Sequence, residues 1–130
     1  MKMEEGQMAR IFIVDDDADF LEACKSILVR EGYTVESANN VKDAEERIKE
    51  GDYDLIMLDI MMEQPDDGIS LAHRLKKQGV EVPVIMMSGV SKVTGYQYGK
   101  CDDVLPCMDF IEKPVTPDTL LSKVKTYIEK

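Results

Sequence analysis

Tryptophan is absent from this 130-residue chain, histidine occurs once and cysteine three times. A site built on several imidazoles is therefore excluded, and three thiols cannot all pair within one chain. No apolar run approaches the ~20 residues that span a bilayer. The opening MKMEEGQMAR carries two glutamates and lacks the apolar stretch of a secretory signal. Positive charge is scarce as well: 16 Lys and Arg against 26 Asp and Glu leave a net charge of −10. That balance disfavours nonspecific contact with nucleic acid or an anionic membrane, both of which draw basic patches. The expectation is a cytoplasmic chain with no direct nucleic-acid binding and no membrane insertion. What is present, 44% apolar and 32% charged residues, is the composition of one folded domain with one core. Residues 1–8 read as a flexible tail and 9–130 as that domain.

Apolar runs alternate with helical periodicity. RIFIV at 10–14 reads as a short buried strand. From Asp17 to Glu31 a helix is predicted, with Phe20, Ala23, Cys24, Ile27 and Leu28 inward, Asp17 as N-cap and Gly32 as its stop. YTVESA at 33–38 alternates, as a less buried strand does. Asn40 caps a second helix that turns Val41, Ala44 and Ile48 inward and stops at Gly51. DLIML at 54–58 is the most apolar strand and so the central one. PDDG at 65–68 leads into a third helix with Ile69, Ala72 and Leu75 inward, ended by Gly79. VPVIMM at 82–87 is the fourth strand and MDFI at 108–111 the fifth, with an irregular helix expected over 91–99. Thr116 and Pro117 open the last helix, with Leu120, Val124, Tyr127 and Ile128 inward. Strands alternating with helices of this length imply parallel strands and right-handed crossovers, a doubly wound α/β domain with five of each.

Such a sheet gathers its site at the carboxyl ends of its strands. The first strand ends in Asp15-Asp16, the third in Asp59 and the fourth in Ser88; the fifth leads into Lys113. Each residue alone has an ordinary explanation as cap, turn or surface. Together, at four strand ends, they place three carboxylates, a hydroxyl and an ammonium in one cleft. Three carboxylates so close cannot all stay ionised cheaply: one takes a proton or a cation binds. Oxygen-only ligands favour a hard cation such as Mg²⁺, which binds one or two carboxylates together with phosphate oxygens. A cation, an ammonium and a hydroxyl around a carboxylate suit a phosphoryl group, and Asp59 becomes a candidate nucleophile that forms an aspartyl phosphate. The lone His73 lies on the third helix, away from these strand ends. Cys24 reads as core. Cys101 and Cys107 flank an Asp pair at a spacing that matches no common zinc pattern, so reduced thiols are the simpler reading.

The motifs Val14-Asp15-Asp16-Asp17, Leu58-Asp59-Ile60-Met61, Met87-Ser88-Gly89 and Phe110-Ile111-Glu112-Lys113-Pro114 resemble, in order and over about residues 9–129, those of the response-regulator receiver domain of two-component signalling. The resemblance implies a flavodoxin-like sheet of strand order 2-1-3-4-5. It implies that Asp59 accepts a phosphoryl group from a sensor histidine kinase or phosphotransfer protein. Mg²⁺ (or Mn²⁺) would be held by Asp16 directly, by Asp15 directly or through water, and by Asp59 and the Met61 backbone carbonyl. Lys113 would contact the phosphoryl group, Ser88 would move toward it, and Phe110, at the switch-aromatic position, would turn inward behind it. The output is then contact with a downstream protein, from a monomer or a phosphorylation-linked dimer. Such a domain is not an enzyme beyond its own phosphotransfer and self-dephosphorylation. Met61 and Val90, two positions after Asp59 and Ser88, cannot orient a water by hydrogen bonding, which predicts slow loss of the phosphoryl group.

Two departures and two rivals stand beside this reading. The loop MMEQPDDG is one residue longer than the usual pattern, which shifts Pro65 and Gly68, and the span from Ser88 to Lys113 is also long, with Tyr96 and Tyr98 as candidate contact residues. Asp15-Asp16-Asp17 is also an Asp-x-Asp after a strand, as in haloacid-dehalogenase-like phosphatases, with Asp15 as nucleophile; that leaves Asp59 unexplained. A degenerate receiver would bind partners without phosphorylation.

Overall fold

The computed structural model describes residues 9–60, 62, 67–88, 109–113 and 115–128, with only the backbone at Ser88. Five strands, β1 (Arg10–Val14), β2 (Thr34–Ala38), β3 (Leu55–Asp59), β4 (Val84–Ser88) and β5 (Asp109–Glu112), pair in parallel in the order β2-β1-β3-β4-β5. The helices among the described residues are α1 (Ala18–Arg30), α2 (Val41–Glu50), α3 (Asp67–Lys77) and α4 (Pro117–Ile128). The helix expected over 91–99 lies outside the described residues, as do the tail 1–8, Cys101 and Cys107.

Alternation along the strands feeds two cores, one on each face of the sheet. Ile11, Ile13, Leu55, Met57, Ile85, Met87 and Ile111 pack with Leu21, Cys24 and Leu28 of α1 and Leu120 and Val124 of α4. Phe12, Val14, Ile56, Leu58 and Met86 pack with Ala44 and Ile48 of α2 and Leu71, Ala72 and Leu75 of α3. β3, the central strand, is buried at every residue, whereas the edge strand β2 is buried only at Val35 and Ala38. A strand covered on both faces by helices has no side to give to polar residues.

Local chemistry sets the helix ends. Asp17 caps α1 by accepting from the Asp19 and Phe20 amides, and Asn40 caps α2 by accepting from the Asp43 amide at 2.8 Å. Thr116 Oγ1 accepts from the Thr119 amide at the start of α4. Gly32 and Gly79 end α1 and α3 at φ +100° and +89°, where a side chain would be strained. The buried stripe of α1 differs from the expected one: Leu21 is buried and Ala23 is exposed. Apolar residues at 20, 21, 23, 24, 27 and 28 fit two helical phases, and the phase that buries the larger leucine removes more apolar surface from water. β4 and β5 each begin and end later than the apolar runs suggest, because pairing with the neighbouring strand sets their register: β4 follows β3, with Asp59 beside Met87, and β5 follows β4, with Ser88 beside Glu112.

Candidate functional site

The carboxyl ends of β1, β3 and β5 converge on one cluster. Asp15 follows β1 and is fully buried; Asp59 ends β3 and is 6% exposed. Asp16 is exposed at the mouth. One oxygen from each of these three carboxylates lies within 4.8 Å of the others, and no other such group of His, Cys, Asp or Glu occurs among the described residues. Lys113, just after β5, places its Nζ 2.7 Å from Asp15 Oδ2 and 3.5 Å from Asp59 Oδ1.

The two buried acids have different surroundings. Asp15 is fully engaged: Oδ2 accepts from Lys113, and Oδ1 accepts from the Asp17 amide at 3.0 Å. Among the described residues, the Asp59 carboxylate has only the longer contact with Lys113. Burial, then the charge of Asp15, push the Asp59 carboxyl up to about 7; Lys113 pulls it down, and Asp16 adds to the rise. Burial works against the Lys113 ammonium, but its hydrogen bond to Asp15 and the charges of Asp59 and Asp15 outweigh that and raise its pKa. The cluster thus carries more negative charge than one ammonium neutralises. Its donors are all oxygens, and it opens to water at Asp16. That donor set fits a hard divalent cation and not a thiolate- or imidazole-seeking one.

Gly68 closes the site from behind. Its amide donates to the Ile60 carbonyl at 2.9 Å, and a Cβ at this position would collide with the Asp59 carbonyl oxygen. The first turn of α3 therefore lies directly against the backbone that carries Asp59, which only glycine allows. In the longer loop after Asp59, Gly68 still makes this close approach.

Of the residues singled out from sequence, the structure brings Asp15, Asp16, Asp59 and Lys113 together. Phe110 is half-buried on β5 beside Met86 and packs against the α2/α3 core. Ser88 ends β4 next to Met87; its side chain, the Met61 carbonyl, Val90, Pro65, Tyr96 and Tyr98 lie outside the described residues. His73 is exposed on α3, away from the cluster. Two contacts of the site were not anticipated from the sequence, that of Gly68 with the Asp59 backbone and that of Phe20 with Lys113. Gly68 had a signal, the only glycine in its loop and next to an apolar helix start. Phe20 lies one helical turn past the acidic run, and its ring sits 4.5 Å from Lys113 Nζ.

Residues 11–125 match the response regulator receiver domain family. The transcriptional regulatory protein DltR of Streptococcus agalactiae is 33% identical over 117 residues, 89% of this chain and 50% of that protein. The chain spans about half the length of the relatives it matches. Among solved structures, the receiver domain of the Francisella response regulator 1452 superposes with a TM-score of 0.80 at 28% identity, covering 93% of this chain and 97% of that one. The response regulator protein TrrA of Thermotoga maritima, solved in complex with Mg²⁺–BeF, gives 0.78 at 29% identity and covers 92% and 99%.

Proposed function

This chain belongs to the response regulator receiver domain family of two-component systems, and from that premise we propose that Asp59 is its phosphoacceptor. The observation that carries the proposal is the contrast between the two buried acids. Asp15 has both oxygens committed, whereas Asp59 ends the central strand with, among the described residues, one long contact to Lys113. An Asp59 oxygen attacks the phosphorus of a phosphohistidine or a small acyl phosphate. The P–N or P–O bond breaks, and its electron pair leaves with the donor. Lys113 donates an N–H to a phosphoryl oxygen and keeps Asp15 as its anchor. Asp16, Asp15 and Asp59 would hold a divalent cation, Mg²⁺ or Mn²⁺, which supplies charge neutralisation for the incoming phosphoryl oxygens. The Mg²⁺–BeF complex of TrrA supports that choice of ligand.

The donor is a sensor histidine kinase or phosphotransfer protein, and the phosphorylated form changes contacts with a downstream protein. With a net charge of −10, these residues suit contact with a basic protein surface. DltR is described as a transcriptional regulatory protein, and the present chain spans half of it; a transcriptional output is thus a reading of the relative. The chain's own reaction is limited to taking up and slowly losing the phosphoryl group. Among the described residues no helix is long and apolar enough to cross a membrane.

The test is incubation with acetyl phosphate and Mg²⁺, reduction of the acyl phosphate with borohydride, and peptide mapping. Conversion at residue 59 supports the proposal. Conversion at Asp15 would favour the phosphatase class, and no conversion in the folded protein would favour a receiver that works without phosphate.

A further inference from the structure

Lys113 has a third neighbour besides the two carboxylates. Its Nζ lies 4.5 Å from the centroid of the Phe20 ring, within the ~6 Å over which a cation is attracted to an aromatic face. Phe20 is half-buried, packs on the α1/α4 core and projects from the first turn of α1. Its position is fixed by the acidic run itself. Asp17 Oδ1 accepts from the Phe20 amide at 3.2 Å, and the Asp17 amide donates to Asp15 Oδ1 at 3.0 Å. Asp15 Oδ2 accepts from Lys113, whose ammonium returns to the Phe20 ring. Lys113, Asp15, Asp17 and Phe20 therefore form a closed circuit of contacts around the site.

We propose that Phe20 is a positioning residue for phosphoryl transfer, holding the Lys113 ammonium through its ring face while that ammonium changes partners. This rests on the reading of Asp59 as phosphoacceptor. When a phosphoryl group joins Asp59, Lys113 must turn from the Asp59 carboxylate to a phosphoryl oxygen. A hydrogen bond weakens steeply when bent. A ring face spans several ångströms and tolerates the displacement, so the ring and Asp15 together hold the ammonium while its third contact passes from Asp59 to the phosphoryl oxygen. The ring also covers one side of the ammonium and shields that side from water.

The test compares the wild type with Phe20→Leu, which keeps an apolar side chain of similar bulk, and Phe20→Tyr, which keeps the ring. Three quantities are read in each: the Mg²⁺-dependent phosphorylation rate constant at saturating acetyl phosphate, Mg²⁺ affinity, and the proton shifts of the Lys113 side chain. In Phe20→Leu the rate constant should fall about fivefold, the factor given by ~1 kcal/mol of lost cation–π contact. Mg²⁺ affinity should stay within about twofold, because the carboxylates are unchanged. Phe20→Tyr should restore the rate. The ring-current shift of the Lys113 methylene protons should vanish in Phe20→Leu and persist in Phe20→Tyr. A Leu variant that phosphorylates like the wild type, or a Tyr variant as slow as Leu, overturns the role of Phe20 while leaving Asp59 as phosphoacceptor. A folded wild type that takes no phosphoryl group overturns both.

Discussion

Replacing Asp59 with asparagine should make the metal-free protein more stable. The site holds three carboxylates with oxygens within 4.8 Å of one another and one ammonium. Burial and the Asp15 charge push Asp59 from 3.8 up to about 7. At ~1.36 kcal/mol per pH unit, that difference corresponds to at most ~4 kcal/mol by which ionised Asp59 opposes folding at pH 7.5. Asparagine loses the 3.5 Å contact with Lys113, but Lys113 retains Asp15 at 2.7 Å. A net gain of about 2–3 kcal/mol remains, or roughly 1–2 M in urea midpoint. The sign with pH follows from linkage. A folded-state value above the unfolded one means that folding takes up a proton. The wild type therefore gains stability as pH falls from about 7 toward 3.8, and loses it as pH rises through about 7. The advantage of Asp59→Asn should be largest at pH 7.5 and shrink by about 2 kcal/mol at pH 5. Mg²⁺ should also narrow it, since a ligand at 100 times its Kd stabilises the wild type by ~2.7 kcal/mol. The assay is urea unfolding followed by circular dichroism, in chelator or in Mg²⁺, because the chain has no tryptophan to report. A variant no more stable than the wild type at pH 7.5 in chelator, or an advantage that widens toward pH 5, would refute the reasoning.

Gly68→Ala should cost about 1–3 kcal/mol, from forcing a Cβ against the Asp59 carbonyl, and should slow phosphorylation by more than about tenfold; thermal unfolding and acetyl phosphate kinetics check both, and unchanged values in both would contradict the close approach. Burial first, and the charge of Asp15 second, push the Cys24 thiol up to about 11. At pH 8 its thiolate fraction is then ~0.1%, so iodoacetamide followed by peptide mapping should find Cys24 unmodified in the folded protein and modified in urea. Rapid native alkylation of Cys24 would count against that burial. With Met61 and Val90 unable to orient water, the isolated phosphoprotein should keep its label for minutes or longer, and loss within seconds in the absence of a phosphatase would disprove the expectation.

Much of the fold was legible because its determinants are local. Asp17, Asn40 and Thr116 cap helices through their own side chains, and Gly32 and Gly79 stop them through their own backbone angles. The convergence of Asp15, Asp16, Asp59 and Lys113 was legible because parallel strands deliver their carboxyl ends to one edge. What stayed hidden depends on partners far along the chain. The phase of α1 was ambiguous until the sheet chose Leu21 over Ala23. The resemblance makes Asp16 a direct ligand and leaves Asp15 direct or water-mediated; the structure commits the buried Asp15 to Lys113 and leaves Asp16 at the mouth. The closeness of Gly68 to Asp59 depends on where α3 starts relative to β3, and no periodicity reports that.

The Asp15–Lys113 bond joins residues 98 positions apart, the first strand to the last. In folding terms it is among the contacts with the largest loop to close, and it can form only after β5 has docked on β4. A nascent chain that has completed β1 through β4 already carries its acids but has no ammonium to set against them. If Asp59 is the phosphoacceptor, competence to take up a phosphoryl group therefore waits until β5 has been made and docked, and a chain released only as far as β4 lacks the ammonium that completes the site.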